Sequence, residues 1–312
     1  MKKFADVKIG DDICVYALIE SMQKRFTPNK SGYYGATLSD GDSSVDARIW
    51  DCNLIETNNI QAGKVYQINA HVNEYAGKIQ YVVTSIKIPE EGEVDEGLFF
   101  KTAPMSKDDL NKGIKSYIKK IKNPILYKLV VNLISKVAPE YFEYPAAMSM
   151  HHNFLYGLAY HTYTMLSLAE KFLELYPGMN SDLLYAGTIL HDIGKTKELS
   201  GSKSPIYTQD GNLLGHIVIA LQMVAVAAEE EKIADTEEVR MLSHMIASHH
   251  GELEYGSPKE PAIMEAYALH FIDLVDSKMA AISPEVTKSQ KGNSTSPIGS
   301  LNRKAIYVPK ID

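Results

Sequence analysis

Near residue 90 of this 312-residue chain, apolar residues stop recurring at alternate positions and begin to recur at every third or fourth. A repeat of two is a strand buried on one face, and a repeat near 3.6 is a helix; one regular element cannot carry both. The chain therefore reads as two domains, which its length also favours. In the first part, residues 13–19, 33–38, 44–50, 65–72 and 79–88 read as strands. They are separated by turn sequences such as Pro28-Asn29-Lys30-Ser31-Gly32 and Ala76-Gly77-Lys78. Val45, Ala47 and Ile49 alternate with polar neighbours, as a half-buried strand requires. Five short strands in so few residues favour a small closed barrel of the OB type over an open sheet.

Residues 91–105 are acidic, contain Gly92 and Gly97, and read as a linker. Ser106, with Asp108 and Asp109 behind it, is a helix start: a side-chain acceptor followed by acids in the first turn. Helical runs follow at about 124–137, 154–175, 181–193, 213–231, 236–249 and 260–282. The expected fold class is multidomain α and β. A barrel over 1–90 precedes an all-α bundle over 106–283 and a flexible basic tail over 284–312.

The net charge of −7 means that any polyanion must be held by a local basic patch, because the average field repels it. No apolar run approaches the roughly 18 residues of a membrane span. Asp6 interrupts the start where a signal peptide needs an apolar stretch. Cys14 and Cys52 alone make no disulfide framework. A cytoplasmic protein with reduced thiols and no membrane association is expected.

Seven ligand-type residues are spread through the helical half in the order His161, His191-Asp192, His216, His249-His250, Asp273. Any one of these histidines alone is more often a hydrogen-bonded core residue. The set together suits a metal site assembled from several helices of a bundle. Imidazole with carboxylate selects Mn²⁺, Fe²⁺, Co²⁺ or Zn²⁺ over Mg²⁺. An aspartate beside a histidine at a helix end can bridge two ions, and a pair of ions about 3.5–4 Å apart suits phosphoryl transfer. Lys195, three residues after Asp192, is placed to donate to the same phosphoryl group.

The segment Leu190-His191-Asp192-Ile193-Gly194-Lys195, with His161 before it and Asp273 after it, resembles the HD-domain phosphohydrolases. His216 and His249-His250 resemble the two-metal branch of that superfamily. With Ser248-His249-His250-Gly251-Glu252 and Leu269-His270-Phe271-Ile272-Asp273 added, the chain from about residue 1 to 282 is similar to the YhaM family of bacterial 3′→5′ exoribonucleases. Those enzymes place an OB module before an HD domain. The resemblance implies His161, His191, Asp192 and Asp273 around one ion. It implies His216, His249 and His250 around a second, with Asp192 between them; Mn²⁺ is the expected metal. His151 and His152 are candidates for touching substrate, and His244 and His270 for packing or supporting roles. The implied activity is release of nucleoside 5′-monophosphates from single-stranded RNA, and from single-stranded DNA as well. Catalytic roles fall to Asp192 and Lys195, and self-association is left open.

An OB barrel grips a strand by stacking bases on aromatics beside basic side chains. The candidates are Lys24, Arg25 and Phe26, expected in a loop, with Lys30, Tyr33 and Arg48; Trp50 and Tyr81 could equally be core. YhaM enzymes carry a Thr-Lys-Asn-Gly-like turn where this chain has Thr27-Pro28-Asn29-Lys30-Ser31-Gly32, so the lysine points elsewhere.

Overall fold

The computed structural model describes residues 3–311 except 76, 91, 148–153 and 204. It divides between Lys101 and Thr102 into two compact units.

The first unit is a five-stranded closed barrel: β1 (Asp12–Phe26), β2 (Gly32–Ser39), β3 (Ser44–Ile49), β4 (Val65–Tyr75) and β5 (Lys78–Lys87), with a one-turn helix α1 (Asn53–Glu56) after β3. The strands close in the order β1-β2-β3-β5-β4, and β4 pairs back onto β1. All contacts are antiparallel except β3 with β5, which run parallel through Ala47–Tyr81 and Arg48–Val82. The inward positions Ile19, Leu38, Ile49, Ile68 and Val72 are fully buried. Asp40, in the turn after β2, ties the N-terminus to the barrel. Its Oδ2 accepts the Phe4 N–H at 2.6 Å, and its Oδ1 accepts those of Asp42 and Ser43 at 3.1 and 2.8 Å.

Two expectations change here. Lys24, Arg25 and Phe26 are not in a loop: β1 continues through them, with Lys24 opposite Tyr34 and Arg25 opposite Tyr33. This end of β1 is exposed on both faces, so it shows no hydrophobic alternation; ladder hydrogen bonds hold it instead of burial. The expected linker is also partly structured, because Phe99 and Phe100 are buried and residues up to 101 belong to the first unit.

The second unit is helical. Its elements are α2 (Lys107–Ile118), α3 (Pro124–Glu143), α4 (Gly157–Leu175), α5 (Ser181–Leu190), α6 (Lys195–Glu198), a hairpin of β6 (Leu199–Ser200) and β7 (Ile206–Tyr207), α7 (Gln209–Glu230), α8 (Glu237–Ser248) and α9 (Met264–Lys288). Side-chain oxygens of Ser106, Asn123, Asn180 and Thr208 cap α2, α3, α5 and α7, satisfying N–H groups that a helix start leaves open. α5 runs through the middle of the core, with Leu183 through Leu190 all buried. Tyr141 of α3 is fully buried against it and donates its O–H to Ile189 O at 2.8 Å.

Residues 284–312 are not the flexible tail that their Ser, Asn, Gly and Lys content suggests. α9 continues through Pro284 to Lys288. The chain then doubles back through the bridges Ser294–Tyr307 and Ile298–Lys304, burying Thr295, Ile298 and Val308.

Among the described residues, Gln209–Glu230 is the one helix long and apolar enough to cross a membrane by length and composition. It is broken at Gly215, and its Ile219, Ala220, Val224 and Ala227 are buried in the helical core.

Candidate metal centre

The ends of two helices and the sides of three others meet around Asp192. His191 is the residue that caps the C-terminus of α5, and Asp192 follows it into a tight turn before α6. His249 caps the C-terminus of α8 in the same way, with His250 beside it. His161 comes from α4, Asp273 from α9 and His216 from α7.

His216 arrives through a break in its own helix. Gly215 has φ 73° and ψ 161°, a left-handed conformation open to glycine at little cost, so a new helical segment starts at His216. Glu198 closes that start. Its Oε1 accepts the backbone N–H of His216 at 3.0 Å and the ring Nδ1–H at 3.2 Å. The turn after Asp192 lies directly against this segment: a Cβ on Gly194 would stand 2.0 Å from His216 O. Backbone packed on backbone therefore sets the spacing between Asp192 and His216.

The five rings form a connected cluster with centroid separations from 4.4 to 5.7 Å. In every ring Nδ1 faces an acceptor. His191 donates to Thr188 O at 2.8 Å, His249 to Ile246 O at 2.7 Å and His250 to Tyr255 O at 2.8 Å. His161 Nδ1 meets Asp276 Oδ2 at 2.7 Å. A carbonyl only accepts, so Nδ1 carries the proton and Nε2 is left with its lone pair, as a metal ligand requires.

The Nε2 atoms of His161, His191, His216 and His249 turn toward Asp192. Its Oδ1 is 3.5 Å from His216 Nε2 and 3.8 Å from His249 Nε2. Its Oδ2 is 3.3 Å from His191 Nε2 and 3.8 Å from His161 Nε2. One carboxylate oxygen thus serves each side. The donor atoms fall into two groups, His161 with His191 and Asp192, and His216 with His249 and His250. Within each group they lie within 4.8 Å of one another. Asp273 joins the first group, its Oδ1 3.3 Å from His161 Nε2.

Whether these atoms suit metal ions is decided by what else they bond. Among the described residues, Nε2 of His191, His216 and His249 and Oδ1 of Asp192 are buried without a hydrogen-bond partner. An unpaired buried polar atom costs about 1–3 kcal/mol, and four facing one another are not a stable packing motif. Divalent cations would satisfy all of them, and the mix of imidazole and carboxylate suits Mn²⁺, Fe²⁺, Co²⁺ or Zn²⁺. The two clusters fit a binuclear divalent-metal site.

Electrostatics agree with that reading. Burial works to raise the Asp192 carboxyl, but the Lys195 ammonium, 2.6 Å from Oδ2, and the nearby His191 hold it well below the usual range. Burial, reinforced by neighbouring histidines, keeps His249 and His250 neutral and able to ligate. Burial also disfavours charge on His161, yet Asp273 and Asp276 outweigh it and raise the ring to about 9. A cation entering the first group must therefore displace a proton from His161.

All seven expected ligands and Lys195 converge here. Two supporting carboxylates were not anticipated. Asp276 lies three residues after Asp273, one turn along the same helix, and Glu198 seven residues after His191; that spacing could have singled out the first. His270 donates its Nδ1–H to His249 O at 3.0 Å, and His244 Nε2 accepts the Ala262 N–H at 2.9 Å, so both brace the backbone. His151 and His152 lie outside the described residues.

The barrel carries a separate exposed face. Tyr33 and Trp50 stack with centroids 4.8 Å apart, and the Arg48 guanidinium lies 5.7 Å from the Tyr33 ring. Trp50 is 48% exposed whereas Tyr81 is core. Arg25 lies across Gly35, where a Cβ would come within 3.3 Å of its Nε. Lys24 pairs with Glu56 at 2.6 Å, which neutralises much of its charge for a ligand. Lys30 is exposed in the β1–β2 turn at φ 62°.

Residues 158–278 match the family model for the HD domain. The second unit thus carries an HD phosphohydrolase domain, which supports metal-dependent hydrolysis, behind an OB-like barrel. Among solved structures, the chain is similar to the mitochondrial single-stranded DNA-binding protein Rim1 of S. cerevisiae in two crystal forms. One match has 14% identity over 26% of this chain and 95% of that chain, with a TM-score of 0.23. The other has 12% identity over 25% and 95%, with a TM-score of 0.21.

Proposed function

We propose that this protein is a cytoplasmic, metal-dependent 3′→5′ exoribonuclease that releases nucleoside 5′-monophosphates from single-stranded RNA and also degrades single-stranded DNA. The observation that carries a phosphodiester hydrolase is the convergence of unpaired Nε2 atoms on both oxygens of Asp192. The similarity of the motifs to YhaM enzymes supports the polarity and the preference for RNA.

His161, His191, Asp192 and Asp273 would hold one cation, and His216, His249, His250 and Asp192 the other. Bound there, Mn²⁺ would lower the pKa of water and neutralise phosphoryl oxygens. The residues of the chain do the remaining work. Asp276 and Glu198 hold His161 and His216 in the tautomer that ligates. Lys195, buried against Asp192, keeps a positive charge where charge develops on the phosphoryl group. Tyr33 and Trp50 offer faces on which bases stack, with Arg25 and Arg48 beside them for phosphates. The barrel thereby supplies the grip that a chain of net charge −7 otherwise lacks.

The test is a 5′-labelled single-stranded RNA incubated with Mn²⁺ and either the native protein or Asp192→Ala, beside parallel incubations with free nucleotides. The expected result is a ladder shortening from the 3′ end that the variant does not produce. Turnover of free nucleotides with intact RNA, or equal cleavage by the variant, would overturn the proposal.

A further inference from the structure

The net charge of −7 hides a segregation of charge. Residues 102–136 hold eight lysines, two aspartates and neither arginine nor glutamate, a balance of +6, so the rest of the chain carries −13. A polyanion that the average field repels is attracted to this stretch. Half of its lysines are engaged within the chain: Lys107, Lys120, Lys128 and Lys136 pair with Glu143, Glu170, Glu231 and Glu230. Lys112, Lys115, Lys119 and Lys122 are exposed and have no ion-pair partner among the described residues.

α2 places these four together. Leu110, Ile114, Tyr117 and Ile118 bury one side of the helix in the core. Gly113 lies so close to the Tyr163 ring that a Cβ would stand 2.5 Å from it. At 3.6 residues per turn, Lys112, Lys115 and Lys119 fall within about 60° of one another on the opposite side, one charge every 5 Å or so along the axis. Lys122 follows in the next turn, which Asp182 pins by accepting its backbone N–H at 2.9 Å. Lysines at a helix C-terminus complement its dipole, which accounts for Lys115 and Lys119 but not for Lys112 in mid-helix.

We infer that this lysine face of α2 is a second binding surface for single-stranded nucleic acid, holding the sugar–phosphate backbone by charge alone. The residue type selects phosphates over the carboxylates of a protein partner. Planar, two-pronged recognition of carboxylate is the work of arginine, which residues 102–136 lack. Lysines are point charges, suited to a row of phosphates read without regard to sequence. A bilayer surface fits less well, because the apolar side of α2 is already committed to the core and cannot enter the interface. The inference rests on single-stranded RNA being a ligand of the chain, as proposed above, but not on its cleavage.

The experiment titrates a labelled oligouridine of about 30 nucleotides with the full chain, a chelator present so that nothing is hydrolysed, at several salt concentrations. The native chain is compared with a triple variant, Lys112→Gln, Lys115→Gln and Lys119→Gln, and with the same three positions changed to Arg. Each lost phosphate contact removes about 0.7 from the slope of log affinity against log salt, so the Gln variant should be shallower by about 2. Its affinity should be roughly 100-fold weaker at about 0.1 M salt and converge on the native value near 1 M. The Arg variant, which keeps the charges, should bind as the native chain does. Lysine acetylation of the native chain gives a second measurement: RNA should protect Lys112, Lys115 and Lys119 while leaving Lys171 on α4 reactive. RNA bound with an unchanged slope in the Gln variant, amines that stay reactive under RNA, or amines protected by anionic vesicles and not by RNA overturns the inference. A native slope lost in the Gln variant, with no ladder from the native chain under Mn²⁺, would leave this surface standing and overturn the nuclease reading alone.

Discussion

Glu198 holds His216 at two points, accepting its backbone N–H at 3.0 Å and its ring Nδ1–H at 3.2 Å with a single oxygen. The carboxylate thereby fixes both where the helical segment after Gly215 begins and which ring nitrogen faces Asp192. Glu198→Gln keeps an acceptor but removes the charge that makes the ring a better ligand. A loss of about 10- to 100-fold in metal affinity is expected. Titration of the metal-free protein with Mn²⁺ checks this, and unchanged melting of the metal-free form separates ligand support from folding.

Cations that satisfy four unpaired buried atoms must also stabilise the folded chain. At a concentration one hundred times the Kd the gain is about 2.7 kcal/mol, or roughly 5–10 °C in Tm for a unit of this size. Differential scanning calorimetry with Mn²⁺ and then with a chelator should show the rise and its reversal.

Gly194 has no room for a methyl group, because a Cβ would meet His216 O at 2.0 Å and both partners are backbone. Gly194→Ala must therefore push the Asp192 turn away from α7. The expected cost is about 1–3 kcal/mol, a fall of roughly 3–10 °C in Tm. Metal content measured on the purified variant should fall with it.

The Asp40 carboxylate gives the barrel a pH dependence of known sign. Burial works to raise its pKa, but the N–H groups of Phe4, Ser43 and Asp42 lower it below the ordinary carboxylate range. The stabilisation is complete above the unfolded value of about 3.9 and is lost as pH falls through the lower folded value. Asp40→Asn should cost about 1–3 kcal/mol at neutral pH. In acid the melting curves of the two proteins should converge.

Trp50 is the chain's one tryptophan and stacks on Tyr33 at the barrel surface, so its fluorescence reports on that face alone. Adding single-stranded oligonucleotide should quench it. Trp50→Ala should weaken binding roughly 5- to 100-fold, the worth of one base stacked on an aromatic ring.

The convergence of the candidate ligands was legible in the sequence because their chemistry is carried by residue type, and each sits where a helical pattern ends or passes inward. The barrel was legible through alternation, as at Val45, Ala47 and Ile49, where one face is buried. Legibility failed wherever burial was not the organising force. The far end of β1 at Lys24–Phe26 is held by its ladder with β2. The segment after Ser289 is held by the backbone bridges Ser294–Tyr307 and Ile298–Lys304, and the scattered residues it buries, Thr295, Ile298 and Val308, follow no period. Pro284 reads as a helix stop, yet α9 runs through it. Glu198 was missed because it meets His216 only through the turn at Gly194 and the break at Gly215, and neither contact leaves a periodic trace.

α5 and α8 both stop at candidate ligands, so two helix C-termini, each carrying about half a negative charge, are aimed at the same small volume. Attraction for a cation is therefore partly a property of the chain's path, present before any imidazole is counted. Removing one histidine should change which ion is held, and how long it stays, more than whether cations gather there.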